Sequence, residues 1–134
     1  MREPVFLDTV GLLALWDRSD QWHPAARSAF SRLSAERVEL YTTSLVLLEC
    51  ANAAARRPYR GVVAALWREM TEAGRVVEPS REEIAQAWQA YERMPSGGPG
   101  VVDLLSFRAM ERLRLRRAFT NDRHFRTAGF EVLF

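Results

Sequence analysis

Four carboxylates punctuate apolar runs in this chain. Asp8 closes Val5-Phe6-Leu7, and Glu49 ends Leu45-Val46-Leu47-Leu48. Asp103 stands between Val101-Val102 and Leu104-Leu105, and Asp122 comes two residues after Ala118-Phe119-Thr120. A charge buried without a partner costs several kcal/mol or gives up its ionisation. Four acids at such positions call for a shared partner, and a divalent cation is the simplest. Two unit charges about 4 Å apart at an effective dielectric of about 20 repel by about 4 kcal/mol. Mg²⁺ or Mn²⁺ removes that penalty, because both are hard cations that prefer oxygen ligands. Such a centre suits hydrolysis of a phosphodiester by water, with no Lys, Ser or Cys nucleophile.

The remaining composition narrows the chemistry further. All 19 basic residues are arginine, so lysine-dependent chemistry is excluded. Arginine offers a planar fork suited to phosphate and does not transfer protons near neutral pH. The single cysteine, Cys50, excludes an internal disulfide and a Cys-based zinc site. A staple-free core fits a reducing, cytoplasmic setting. The start, Met-Arg-Glu-Pro, runs into a strand-like segment rather than a signal peptide, and no apolar stretch is long enough for a membrane span. At 134 residues and 48% hydrophobic, the whole chain, residues 1–134, reads as a single domain.

The elements that must position the acids follow from patterning. Short β-forming runs at Val5–Leu7, Glu39–Thr43, Val76–Glu78, Ala118–Thr120 and Phe130–Leu133 predict five strands. Between them, helical patterns span Val10–Trp16, Pro24–Glu36, Ser44 to about Arg57, Gly61–Ala73, Ser80 onward and Val102–Leu113, with a helical turn at Asp122–Thr127. Ser44 is expected to cap its helix, and Ser80 with Glu83 forms a capping box. Val62, Leu66, Trp67 and Met70 are expected to face inward, as are Ile84, Ala87, Trp88 and Tyr91. Met94–Gly100, with two prolines and three glycines, is a loop. Strands alternating with helices predict an α/β sandwich on a mainly parallel sheet.

In such sheets ligands collect beyond the carboxyl ends of the strands, where Asp8 and Asp122 are expected. Each acid also has a bland explanation. Asp8 and Asp122 are good helix caps, and Asp103 complements a helix dipole. Glu49 has the fewest, since only an exposed position with its apolar neighbours split over two faces would account for it. His23 reads as a surface or capping residue. His124, two residues past Asp122, is left outside the ligand set. Asp17 and Asp20 read as solvated turn residues. Arg112, Arg114, Arg116 and Arg117 read as an exposed helix end that offers charge to a nucleic-acid backbone.

These blocks together carry a resemblance. Val5-Phe6-Leu7-Asp8-Thr9, Thr42-Thr43-Ser44 through Glu49, Val102-Asp103-Leu104-Leu105-Ser106-Phe107 and Phe119-Thr120-Asn121-Asp122-Arg123-His124-Phe125, followed by Ala128-Gly129-Phe130, resemble the PIN-domain ribonucleases. In length and layout the chain looks like a VapC-type toxin of a type II toxin–antitoxin system. The likeness covers essentially the whole chain. It departs at Gly100, where family members often carry Ser or Thr.

The resemblance implies a three-layer α/β/α sandwich and an endoribonuclease dependent on Mg²⁺ or Mn²⁺. Asp8, Glu49, Asp103 and Asp122 would bind metal and position the attacking water. Thr9, Thr120 and Asn121 would orient ligands or substrate. An RNA substrate, a cognate antitoxin covering the site, and a homodimer are implied as partners. The competing reading is a PIN-like module that binds RNA or protein without cleaving. A phosphoaspartate hydrolase would need an acid at residue 10, which is Val, and a response-regulator receiver would need a lysine.

Overall fold

The computed structural model describes residues 2–134. Its strands are β1 (Val5–Leu7), β2 (Leu40–Thr43), β3 (Val76–Val77), β4 (Arg117–Phe119) and β5 (Glu131–Val132). Every strand pairing is parallel, and the order is β3-β2-β1-β4-β5. β1 sits at the centre, with Val5 opposite both Leu40 and Arg117. Its three residues are fully buried, as expected of a strand covered on both faces.

Seven helices make the crossovers: α1 (Thr9–Trp16), α2 (His23–Ala35), α3 (Ser44–Ala54), α4 (Arg60–Glu72), α5 (Arg81–Arg93), α6 (Val101–Leu113) and α7 (Arg123–Thr127). Right-handed connections place α1–α4 on one face of the sheet and α5–α7 on the other, giving the three-layer sandwich. Aromatic contacts seal both layers. Phe30 of α2 meets Phe119 of β4 with ring centroids 5.5 Å apart, and Phe107 of α6 meets Phe125 of α7 at 4.9 Å.

The chain moves outward from β1 to β3, then crosses to β4 on the other side of β1. The carboxyl ends of β1 and β4 therefore flank a topological switch point. Asp8 caps α1 directly after β1, and Asp122 caps α7 shortly after β4. α1 lies close to β4. A Cβ built on Gly11 would stand 2.0 Å from the Phe119 carbonyl oxygen, so only glycine fits.

Several local expectations change. Thr43, not Ser44, caps α3, and its hydroxyl accepts from Val46 N at 3.1 Å. Thr43 keeps the extended backbone of β2, which a cap requires. Ser44 is already helical and donates to Glu78 instead. α3 ends at Ala54, short of Arg57. On α4 Val63 and Met70 are buried and Leu66 packs against the core as expected, while Val62 and Trp67 face outward. On α5 Ala87 is buried, but Trp88 and Tyr91 are exposed and pack edge-to-face on each other. Periodicity located the stripes, but each helix buries a narrower one than its apolar content allows.

Gly11→Ala should destabilise the protein by roughly 3 kcal/mol, the upper range for overpacking, because the obstructing atom is backbone. Urea unfolding measures it. Equal stability of the two proteins would disprove the close approach of α1 to β4.

Candidate functional site

Asp8 lies at the floor of the cleft beyond the carboxyl edge of the sheet and is 1% exposed. Its Oδ2 accepts from Thr120 Oγ1 at 2.8 Å and from Val10 N at 3.3 Å. The cap role and the site position are thus the same geometry. Burial pushes its pKa from 3.8 up to about 7, the Thr120 hydroxyl opposes this, and Asp103 and Asp122 push it further up.

Thr120 links two of the acids. It is fully buried, donates to Asp8, and accepts from Asp122 N at 3.1 Å. Asp122 Oδ1 in turn accepts from His124 N at 2.9 Å, capping α7. Asn121 is half-buried between Thr120 and Asp122. Asp103 stands in the first turn of α6, where Oδ2 accepts from Gly100 N at 3.2 Å. That bond satisfies a helix-start donor that the missing Gly100 hydroxyl does not affect. Burial, and then the charges of Asp122 and Glu49, raise the Asp103 pKa, against the bond from Gly100.

Glu49 behaves differently from expectation. It is exposed, and Oε1 accepts from Thr9 Oγ1 at 2.6 Å. Its apolar neighbours are indeed split over two faces, with Leu48 60% exposed and Cys50 buried. Burial followed by the charges of Asp8 and Glu49 pushes the Cys50 thiol up to about 12, so it stays an inert core residue. Glu49 therefore stands at the rim, near enough to Asp103 to raise its pKa, with Thr9 as its tether to α1.

His124 is more central than its sequence position indicated. Asp103, Asp122 and His124 each offer a ligand atom within 4.8 Å of the others. Yet Nδ1 lies 2.9 Å from Asp122 Oδ1 and Nε2 lies 2.8 Å from the Gly97 carbonyl. Both partners are acceptors, so the ring satisfies both only as a donor at each nitrogen. Its pKa is raised, first by the Gly97 carbonyl and then by Asp122 and Asp103. The ring is better placed to orient Asp122 and anchor the Met94–Gly100 loop than to lend a lone pair to a metal. Its distance of 27 residues from Gly97 hid this contact from sequence patterning.

The Arg112–Arg117 cluster lies elsewhere. Arg117 begins β4, whereas Asp122 follows its carboxyl end. Arg116 makes paired bonds to Glu3 at 3.1 and 3.0 Å, Arg117 donates to the Glu3 carbonyl, and Arg112 pairs with Glu83. Arg116 and Arg117 thus fasten the start of β4 to the N-terminal segment, and Arg112 ties the end of α6 to the start of α5.

The donor set fits a hard divalent cation. Oxygen ligands converge, Asp8 and Asp103 resist ionisation, and the nearby protein cation, His124, faces Asp122 and eases only part of the charge. Asp103 and Asp122 lie closest together, Asp8 is coupled to both by charge from the end of β1, and Glu49 is coupled to Asp103 from the rim.

Comparison with known proteins agrees with the geometry. A family model described as PIN domain matches residues 5–131. Among solved structures, the fold matches the VapC20 toxin of Mycobacterium tuberculosis, described as Sarcin-Ricin loop cleaving. The TM-score is 0.74 at 26% identity, covering 94% of this chain and 95% of that one. No curated protein matches the chain.

The raised Asp8 pKa has a thermodynamic signature. The folded state holds this proton more tightly than the unfolded chain. The resulting stability is complete below about pH 4 and lost as pH rises through about 7, on the order of 4 kcal/mol in all. In EDTA, wild type should lose melting temperature from pH 5 to 8 more steeply than Asp8→Asn. Parallel pH profiles for the two proteins would contradict the burial of Asp8 as a raised carboxyl.

Proposed function

Because the chain belongs to the PIN domain family, we propose that it is a metal-dependent endoribonuclease, the toxin of a toxin–antitoxin pair. The observation that carries this reading is buried Asp8 at the switch point with Asp103 and Asp122 near enough for their charges to raise its pKa. Asp8, Asp103, Asp122 and the rim acid Glu49 would hold Mg²⁺ or Mn²⁺. When bound, the cation would lower the pKa of water and stabilise charge developing on phosphoryl oxygens.

The chain's own groups have distinct tasks in this proposal. Thr120 and the Val10 amide both engage Oδ2 of Asp8, so Oδ1 is the oxygen it would offer to the cation. His124 orients Asp122 and holds the Met94–Gly100 loop over the same side through Gly97. Thr9 steadies Glu49, whose exposed carboxylate is free to accept a proton from an attacking water or to complete the ligand shell. Asn121 offers an amide toward the substrate. No general base with a lysine amine exists in the chain, so proton removal falls to carboxylates or solvent.

The reading takes the chain as one PIN-like unit working in the cytoplasm on RNA. Among the described residues, no helix is long and apolar enough to cross a membrane. A cognate antitoxin that shields the acids and a homodimer are its proposed partners. The VapC20 likeness supports the toxin assignment.

Purified protein should cleave RNA with Mg²⁺ or Mn²⁺ and not in EDTA. Asp8→Asn and Asp103→Asn should each lower the rate by more than 10²-fold, beyond the usual loss for a group outside the ligand shell. Equal cleavage by wild type and both variants, or no cleavage by wild type with either metal, would remove the proposal. In that case the non-cleaving RNA- or protein-binding module becomes the better reading.

Thr120→Val tests the floor of the site. It removes the hydroxyl that donates to Asp8 and should cost about 10–100-fold in activity or apparent metal affinity. Single-turnover cleavage across a Mg²⁺ titration separates the two effects. An unchanged titration curve would show that the Thr120–Asp8 bond is purely structural.

A further inference from the structure

An acid-lined cleft repels the substrate it is proposed to cut. The RNA backbone must therefore be held by cations outside it. Arg112, Arg116 and Arg117 are engaged with Glu83 and Glu3. The other concentration of arginine lies where the two helical hairpins end. Arg18 follows α1, and Arg56, Arg57 and Arg60 bridge α3 to α4. Arg18, Arg56 and Arg60 are exposed and have no ion-pair partner among the described residues.

A groove of about 550 Å³ opens between these ends, lined by Trp16, Arg18, Arg57, Tyr59 and Val62 among others. That volume is within the range of small-ligand pockets, roughly 300–1,000 Å³. One wall is aromatic, with Trp16 and Tyr59 ring centroids 6.0 Å apart and tilted by 34°. The Arg57 guanidinium lies 5.9 Å over the Tyr59 ring and is steadied by Nη2 donating to Asp17 Oδ2 at 2.9 Å. Asp17 also accepts from Ser19 N and Oγ, so the turn that carries Arg18 is held in shape. His23 Nδ1, 2.8 Å from the Ala14 carbonyl, ties the last turn of α1 to α2.

The groove is also connected to the acids by the elements that carry them. α1 begins beside Asp8 and ends at Trp16, about 10 Å further on at 1.5 Å per residue. α3 carries Glu49, and Arg57 and Tyr59 follow its end. α1 and α3 pack side by side, so their far ends open onto one surface.

We propose that this groove is a subsite for single-stranded RNA. A base flanking the cleavage point stacks against Trp16 and Tyr59, while Arg18, which is exposed and without an ion-pair partner among the described residues, takes an adjoining phosphate. Aromatic faces with neighbouring guanidinium groups are the chemistry that recognises an unpaired nucleotide. An apolar helix of a protein partner would fill the volume but leave the arginine fringe unused. The subsite rests on the nuclease reading for its purpose, and its test does not depend on cleavage.

The probe is a short fluorescein-labelled single-stranded RNA titrated in EDTA and followed by anisotropy. Tyr59→Leu should weaken binding about tenfold or more, the scale of one lost base stack. Arg18→Ala, a surface change that leaves packing intact, should weaken binding and flatten the log Kd against log salt slope by about 0.7. RNA carrying 5-iodouridine should photocrosslink to the peptide containing Trp16 or Tyr59. Asp8→Asn should still bind, because it keeps the groove. Wild-type binding that neither variant weakens, crosslinks confined to other peptides, or no binding by wild type would each overturn the subsite. Failure of the nuclease reading looks different: RNA binds and crosslinks in the groove, yet no metal supports cleavage.

Discussion

The constraint on which this structure depends is the burial of one carboxylate, Asp8, at the end of the central strand. A charge placed there is expensive in a low-dielectric interior. The surrounding fold is arranged to hold it. β1 is enclosed on both faces, Gly11 lets α1 press against β4, and Thr120 reaches from the neighbouring strand to bond Asp8. Nearby acids deepen the cost instead of relieving it. Burial is the largest cost, the Thr120 bond relieves part of it, and the charges of Asp103 and Asp122 add to what remains. The arrangement makes sense as a pre-formed cage for a cation, and this is why the proposed chemistry follows from the floor of the site upward.

The supporting bonds form a chain rather than a set of isolated pairs. Asp8 is held by Thr120, Thr120 by Asp122 N, Asp122 by His124, and His124 by the carbonyl of Gly97. Three elements distant in sequence are thereby set in register. The Met94–Gly100 loop, which begins α6 and so places Asp103, is fastened by a histidine from α7. Glu49 is outside this chain of bonds. Its link is to Thr9 at the start of α1, the residue that follows Asp8. The floor and the rim thus differ in burial.

The helical hairpins explain a second division of labour. Their proximal ends carry acids, and their distal ends carry arginines and aromatics. Negative charge in the cleft and positive charge beyond it create a gradient along the α1–α3 surface. Such a gradient favours a polyanion bound across the surface with only its reacting phosphate in the acid cleft. Arg116 and Arg117 at β4's start do not contribute to this, because they are spent on Glu3.

The sequence by itself determined the elements and the identity of the acids. β1, β2 and β4 were legible as short β-forming runs, and Ser80 with Glu83 announced α5 as a local pattern. Those signals depend on neighbours a few residues apart, so linear spacing captures them. The motif blocks around Asp8, Asp103 and Asp122 were legible for the same reason. Tertiary structure decided what spacing cannot express. It set the strand order that brings β4 beside β1, and hence the meeting of Thr120 with Asp8 across 112 residues. It exposed Glu49, Trp67 and Trp88, because a helix on a sheet buries only the face its neighbours cover. It made His124 a partner of Gly97 and moved the Arg112–Arg117 group away from the cleft. Burial, pairing and charge coupling depend on which segments touch, and that is settled only when the chain closes on its core.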